Sequence, residues 1–210
     1  DGSIVAIGAR SNDGNGTLSG HVRIYQWDGA AWNQVGDDLD GEAAGNESGR
    51  PLSLSSDGSI VAIGAIFNSG NGPDSGHVRI YQWNGTAWIQ RGTDIDGEAA
   101  GDFSGESVSL SMDGTTVAIG ASQNDGSGED SGHVRIYQWD DSQWVQVGND
   151  IDGEAAGDRS GKSVSLSADG TIIAIGADGN DWHGPDSGHV RIYQWTSDTP
   201  CTPCADVTAA

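Results

Sequence analysis

A 56-residue unit recurs along this 210-residue chain without one insertion. His-Val-Arg-Ile-Tyr-Gln-Trp begins unchanged at His21, His77, His133 and His189, and Ala-Ile-Gly-Ala recurs from Ala6, Ala62, Ala118 and Ala174. Asp-Gly-Glu-Ala-Ala-Gly starts at Asp40, Asp96 and Asp152. A period this strict means that each block is a structural unit that packs against copies of itself. Features present in every copy are expected to serve structure or binding, because catalysis normally needs one asymmetric site.

The third block shows what one unit builds. Ser107 to Ser111 alternates small polar and apolar residues, as a half-buried strand does. Asp113-Gly114 is a hairpin signal, and Thr116 to Ala121 follows as a second strand, crowded by its Ala and Gly. His133 to Trp139 reads as the third strand, with Val134, Ile136 and Gln138 on one face and His133, Arg135, Tyr137 and Trp139 on the other. Gln143 to Val147 reads as the fourth strand, and Asp150 to Asp158 as the linker to the next unit. Four short antiparallel strands with apolar residues on both faces describe a blade of an all-β propeller, sandwiched between neighbours. A β-solenoid is the rival architecture, although its coils are usually shorter. The tryptophan pairs Trp27 with Trp32, Trp83 with Trp88 and Trp139 with Trp144 are expected to fill the gaps between blades. Counting strands gives three, four, four and three, so residues 1–195 hold roughly three and a half blade repeats, incomplete at both ends. Residues 196–210 read as a Cys-containing tail or linker.

Composition narrows the partners. Nine Lys and Arg against 31 Asp and Glu give a net charge of −22, which repels nucleic acid and anionic membrane. No stretch is long and apolar enough to insert in a membrane. The chain opens at an Asp inside a repeat, so a mature product or part of a longer polypeptide is expected. The two cysteines, Cys201 and Cys204, lie beyond the last repeat; a disulfide is favoured there over a zinc site, which would need two further ligands.

The blocks resemble FG-GAP repeats, the blade units of integrin-α-type propellers, over residues 1 to about 195. The resemblance rests on Gly105 to Ser109, Val117 to Ala121 and Gly132 to Tyr137. Similar runs occur in large secreted or surface repeat proteins of microbes and algae, which implies an extracellular setting. Departures from the pattern are plain. The family's Phe-Gly is Ser-Gly here, at Ser48, Ser104 and Ser160, and its Asp-rich calcium loop is reduced to one Asp-Gly at Asp57, Asp113 and Asp169.

Calcium remains the expected cofactor at another place, the Asp-x-Asp-Gly-Glu linker, because it favours several oxygen ligands. The candidate ligands are Asp38, Asp40 and Glu42, then Asp94, Asp96 and Glu98, then Asp150, Asp152 and Glu154. The competing assignment is an ion pair between a linker carboxylate and the strand arginine, Arg23, Arg79, Arg135 or Arg191. A second acidic loop carries Asn124, Asp125, Glu129 and Asp130, matched by Asp13, by Asn68 and Asp74, and by Asn180, Asp181 and Asp186; it reads as calcium loop or solvated turn. Trp182-His183 occurs only in the last unit and is a candidate contact for glycan or protein. No organic cofactor, nucleophile elbow, phosphate loop or zinc-protease motif is present. The sequence thus leads us to expect an extracellular structural or adhesive repeat protein and not an enzyme. It would associate with itself or with neighbouring repeat domains, as a subunit of a fibre or surface layer. A calcium-dependent lectin-like binding module is the alternative.

Overall fold

A computed structural model describes the backbone of residues 2–196 and 199–208 and the side chains of residues 2–195. The chain forms four antiparallel sheets, one per repeat, as all-β propeller blades. The first blade holds β1 (Ile4–Ala9), β2 (His21–Trp27), β3 (Trp32–Gln34) and β4 (Leu39–Asp40). The second holds β5 (Leu52–Leu54), β6 (Ile60–Ala65), β7 (His77–Trp83), β8 (Trp88–Gln90) and β9 (Ile95–Asp96). The third repeats it with β10 (Ser107–Leu110), β11 (Thr116–Ala121), β12 (His133–Trp139), β13 (Trp144–Gln146) and β14 (Ile151–Asp152). The fourth holds β15 (Ser160–Leu166), β16 (Ile172–Ala177), β17 (His189–Thr196) and β18 (Thr199–Thr208). Among the described residues there is no helix, hence none long and apolar enough to cross a membrane.

Two details differ from the strand count read from sequence. The expected fourth strand splits: Trp144–Gln146 pairs with one half of β12, and Ile151–Asp152, expected in the linker, pairs with His133 and Val134 at its other end. Gly148, in the left-handed region at φ 74°, turns the chain between these two pieces. At the end of the chain, Thr199–Thr208 runs antiparallel along β17 from Thr196 back to His189. Cys201 and Cys204 lie on that strand; their side chains, and so the expected disulfide, lie outside the described residues.

The innermost strands are β5, β10 and β15, which lie against one another from blade to blade. They are also linked by hydrogen bonds. The Leu110 amide donates to Ser53 Oγ at 2.9 Å and the Leu166 amide to Ser109 Oγ at 3.0 Å. The serines of the Ser-Val-Ser-Leu pattern therefore serve as acceptors between blades. Strand alternation then assigns each face to a neighbour. In the second blade, Ile60, Ala62, Val78 and Ile80 pack forward on Leu110, Val117 and Ile119, whereas Val61 and Ile63 pack back on Val22 and Ile24. A third core joins Ala118, Val134 and Ile136 to Ile173, Ile175 and Trp195. The core is thus three interblade seams, each built from the same positions.

Tryptophan pairs close the outer end of the first two seams. Trp88 Nε1 donates to the Val35 carbonyl and Trp144 Nε1 to the Arg91 carbonyl, both at 2.8 Å and both on the preceding blade. Gly36 lies beneath the rings of Trp83 and Trp88, with no room for a side chain. The equivalent Trp27 and Trp32 of the first blade are 41% and 46% exposed, because no blade described here precedes them.

Candidate functional site

The back face of the third strand positions the repeated polar residues. His77, Arg79 and Tyr81 alternate with Val78 and Ile80, so they face the preceding blade and meet its linker. Arg79 Nη2 donates to the Asp40 carbonyl at 2.8 Å, and Arg135 and Arg191 repeat the bond to Asp96 and Asp152 at 2.6 Å. Each guanidinium also stands beside the next aromatic of its own strand, Tyr81, Tyr137 or Tyr193, 5.4 to 5.6 Å from the ring centroid.

This placement divides each linker's carboxylates between two blades. Asp38 and Asp40 gather with His21 of their own blade, whereas Glu42 reaches forward to His77 and Asp94. Glu98 likewise joins His133 and Asp150. These groups could hold a metal ion, since their ligand atoms lie within 4.8 Å of one another. The fourth copy brings Glu154 to 3.8 Å from His189 Nε2. Asp96 stands 3.9 Å from His77, and its carboxyl is raised above its ordinary range by burial and by Asp94. Asp152 pairs across the ladder with His133 through the backbone.

The arginine ion pair is present as well. Arg23 grips Asp38 with two bonds of 2.8 Å, and this holds the Asp38 carboxyl down at about 2. Arg79, Arg135 and Arg191 instead approach Glu42, Glu98 and Glu154 at 3.6, 3.6 and 3.9 Å. The repeated histidine beside them is 1% exposed in the second and third blades. Burial, with Arg79 adjoining, pushes the His77 imidazole well below its ordinary value, and His133 moves the same way. His77, held at about 4, is therefore neutral at pH 7.

The second acidic loop uses its oxygens on its own backbone. Asn124 Oδ1 accepts from the Gly126 amide at 2.9 Å and Asp125 Oδ1 from the Asp130 amide at 2.9 Å. Asn180 and Asp181 repeat these bonds to Trp182 and Asp186. The loop is thus a self-bonded turn. In the last copy it presents the Trp182 ring to solvent, 75% exposed, while the His183 amide donates to Ser187 Oγ at 3.3 Å.

One constellation is not repeated, and sequence reasoning missed it. Glu106, at the start of the inner strand β10, accepts a hydrogen bond from Ser122 Oγ, which lies just beyond β11 and is fully buried. Lys162 Nζ, on β15 of the next blade, lies 2.5 Å from Glu106 Oε1. Glu106 is 10% exposed in its side chain and Lys162 40%, so the pair borders solvent at one end of the inner strands. The signal was available in the period itself. Positions 50, 106 and 162 hold Arg, Glu and Lys, and positions 66, 122 and 178 hold Ile, Ser and Asp, within an otherwise regular repeat.

Propeller blades of this arrangement occur in known structures. The chain is similar to a Bacteroides uniformis protein assigned as a 6-phosphogluconolactonase, at 11% identity and a TM-score of 0.63, covering 97% of this chain and 54% of that one. It is also similar to a periplasmic gluconolactonase of Pseudomonas aeruginosa, at 16% identity and a TM-score of 0.60, covering 99% of this chain and 55% of that one. The chain therefore spans about half the length of these structures. No family model matches it, and no curated protein sequence does.

These likenesses establish the fold and correct the functional expectation. Three solved propellers similar to this chain are named as gluconolactonases or 6-phosphogluconolactonases, and this overturns the expectation of a structural, adhesive or lectin-like protein without enzyme chemistry. The expected fibre or surface-layer assembly and adhesive role fall with it. Repetition of blades was the reason for setting catalysis aside. A regular scaffold can still carry one irregular cluster, as Glu106, Ser122 and Lys162 do here.

Proposed function

We propose that the chain is a four-blade portion of a propeller hydrolase that opens a cyclic ester of a sugar acid. The observation that carries this reading is the unrepeated Glu106–Ser122–Lys162 group at one end of the inner strands. The likeness to proteins named as gluconolactonases supports the substrate class. In this reading Glu106 takes a proton from water as the water oxygen bonds to the lactone carbonyl carbon. Lys162 Nζ supplies positive charge where the carbonyl oxygen becomes negative. The ring carbon–oxygen bond then breaks, and the leaving oxygen takes the proton held by Glu106, giving the open hydroxy acid. The Ser122 hydroxyl donates to the second Glu106 oxygen and fixes the carboxylate's orientation.

Charge selects within the class. A net charge of −22 repels a phosphorylated lactone and favours a neutral one, and it drives away the carboxylate product. The acidic surface, with the likeness to a periplasmic enzyme, supports a secreted or periplasmic setting. The Glu106 group lies wholly within this chain. Further blades of the same repeat would extend the ring. They would cover Trp27 and Trp32 at one end, and at the other the groove of about 260 Å³ lined by Gly176, His189 and Val190.

The test is hydrolysis of glucono-δ-lactone, followed in a pH-stat against the spontaneous rate. The chain should accelerate ring opening, and Glu106→Gln should lose about 100-fold or more of that acceleration. A rate no faster than buffer, or an unchanged Glu106→Gln variant, would end this reading. Calcium, expected from the linkers, has no role in these steps; adding it or a chelator to the same assay checks that point.

A further inference from the structure

We infer that the seams between blades carry two binding sites for a first-row divalent metal ion of the zinc class. One is formed by Glu42, His77 and Asp94, the other by Glu98, His133 and Asp150. These sites are separate from the Glu106 group and do not depend on the lactonase reading.

The first support is a buried imidazole with nothing to bond. The His77 side chain is 1% exposed, and neither Nδ1 nor Nε2 has a hydrogen-bond partner; His133 Nδ1 is in the same position. Leaving a buried nitrogen without a partner is costly, so a native arrangement of this kind calls for a ligand. His77 Nδ1 is aimed at carboxylate oxygens, 3.5 Å from Asp94 Oδ2 and 3.8 Å from Glu42 Oε2. His133 Nδ1 stands 3.8 Å from Asp150 Oδ2 and 3.9 Å from Glu98 Oε2. Those spacings are too long for hydrogen bonds. They are close to the roughly 3.4 Å that separates ligand atoms on a tetrahedral ion with bonds of about 2.1 Å.

The second support is the way each carboxylate is held. Asp94 Oδ1 accepts from Gln90 Nε2 and Asp150 Oδ1 from Gln146 Nε2, both at 2.6 Å, which leaves Oδ2 facing the imidazole. Glu42 Oε1 faces Arg79 and Glu98 Oε1 faces Arg135, each at 3.6 Å, while Oε2 turns towards the histidine. Each aspartate thus has one oxygen anchored and the other presented, the pattern by which outer partners orient metal ligands. Asn68 Nδ2 at 3.3 Å steadies Glu42 Oε2 beside His77. At the first site Glu42, Asp94 and Asp96 outnumber Arg79, so the local charge favours a cation. A neutral nitrogen among carboxylates selects zinc-class ions over calcium, whose ligands are oxygens.

Among the described residues, the two inner copies are the ones that bring a glutamate, a buried histidine and an aspartate together across a seam. Asp38 has both oxygens engaged by Arg23, and no described blade precedes His21 to supply a glutamate. His189 faces Glu154, and Asp206 on β18, the repeat counterpart of Asp94 and Asp150, pairs with Arg191 through the backbone, although its side chain lies outside the described residues. Each ion would tie the linker of one blade to the third strand of the next, as a clasp across the seam.

The experiment is dialysis of the whole chain against zinc, with bound metal measured by plasma mass spectrometry. Cobalt substitution then reports the ligand geometry through its visible absorption. Two ions per chain are expected, with the intense visible bands of tetrahedral cobalt. Glu42→Gln and Glu98→Gln should each retain one ion, and the double variant none. Both glutamates are more than 40% exposed in their side chains, so these variants keep the fold, which circular dichroism verifies. Stoichiometry that survives both substitutions would mean diffuse binding by the acidic surface and would overturn the proposal. So would failure to bind, or displacement of zinc by equimolar calcium.

Discussion

Replacing Gly64 by alanine tests how the blades are joined. A Cβ built there meets the Gly105 carbonyl oxygen of the next blade at 2.3 Å and the Pro51 ring at 2.6 Å. An ordinary carbon–oxygen contact needs about 3.3 Å, so the seam must open by roughly 1 Å. The obstacle is backbone, and it cannot swing aside. Overpacking of this kind costs about 1–3 kcal/mol, sometimes more, and here the upper end applies. For a chain of this size, about 3 kcal/mol lowers the melting temperature by roughly 6–12 °C. Gly176 provides the control, because it occupies the same repeat position in the last blade. Its Cβ meets only Ser163, first at the flexible hydroxyl and then beyond 3.6 Å. Thermal unfolding followed by circular dichroism should therefore show a large loss for Gly64→Ala and a small one for Gly176→Ala. Equal shifts for the two variants, or a Gly64→Ala shift below about 2 °C, would refute the idea that this glycine keys the seam.

Other outcomes follow from the same seams. Trp88→Phe leaves the Val35 carbonyl without its indole donor and should cost about 1 kcal/mol in urea unfolding, whereas Trp32→Phe, on an exposed ring, should cost little. Ser53→Ala removes the acceptor for the Leu110 amide and should likewise lose about 1 kcal/mol, measurable as a lower urea midpoint. Acid should weaken the fold in two stages. Below about pH 6.5 the unfolded chain protonates His77 and His133, which burial disfavours in the folded one. The carboxylates add to this at lower pH. Arg23 holds Asp38 at about 2, and hydrogen bonds from Ser55 and Ser59 hold Asp57 below its ordinary 3.8. The stability these depressed carboxylates contribute is present above their unfolded values and is lost as pH falls through the folded ones. The urea midpoint should accordingly drop further between about pH 4 and pH 2.

The period and strand alternation made the blades legible, because one block read correctly applies four times. The back-facing set of His133, Arg135, Tyr137 and Trp139 was readable for the same reason. What that face touches was not, since the partner of His77 lies in the previous repeat and Glu42 reaches it only through the packing of two sheets. Grouping Asp38, Asp40 and Glu42 by adjacency in the chain therefore put together side chains that serve different seams. The split fourth strand was hidden by its length, as two residues carry no periodicity. Glu106 and Lys162 were overlooked because attention rested on what repeats, while they mark where the repeat changes.

Gly8 on Gly49, Gly64 on Gly105 and Gly120 on Gly161 are one backbone joint made three times. Such a joint cannot count. Nothing in it distinguishes the second blade from the third, so inserting or deleting 56 codons leaves every remaining seam intact. Lineages carrying this unit can therefore lengthen or shorten by whole blades in single genetic events. Individual side chains, by contrast, can diverge only where a seam does not need them, as at positions 50, 106 and 162.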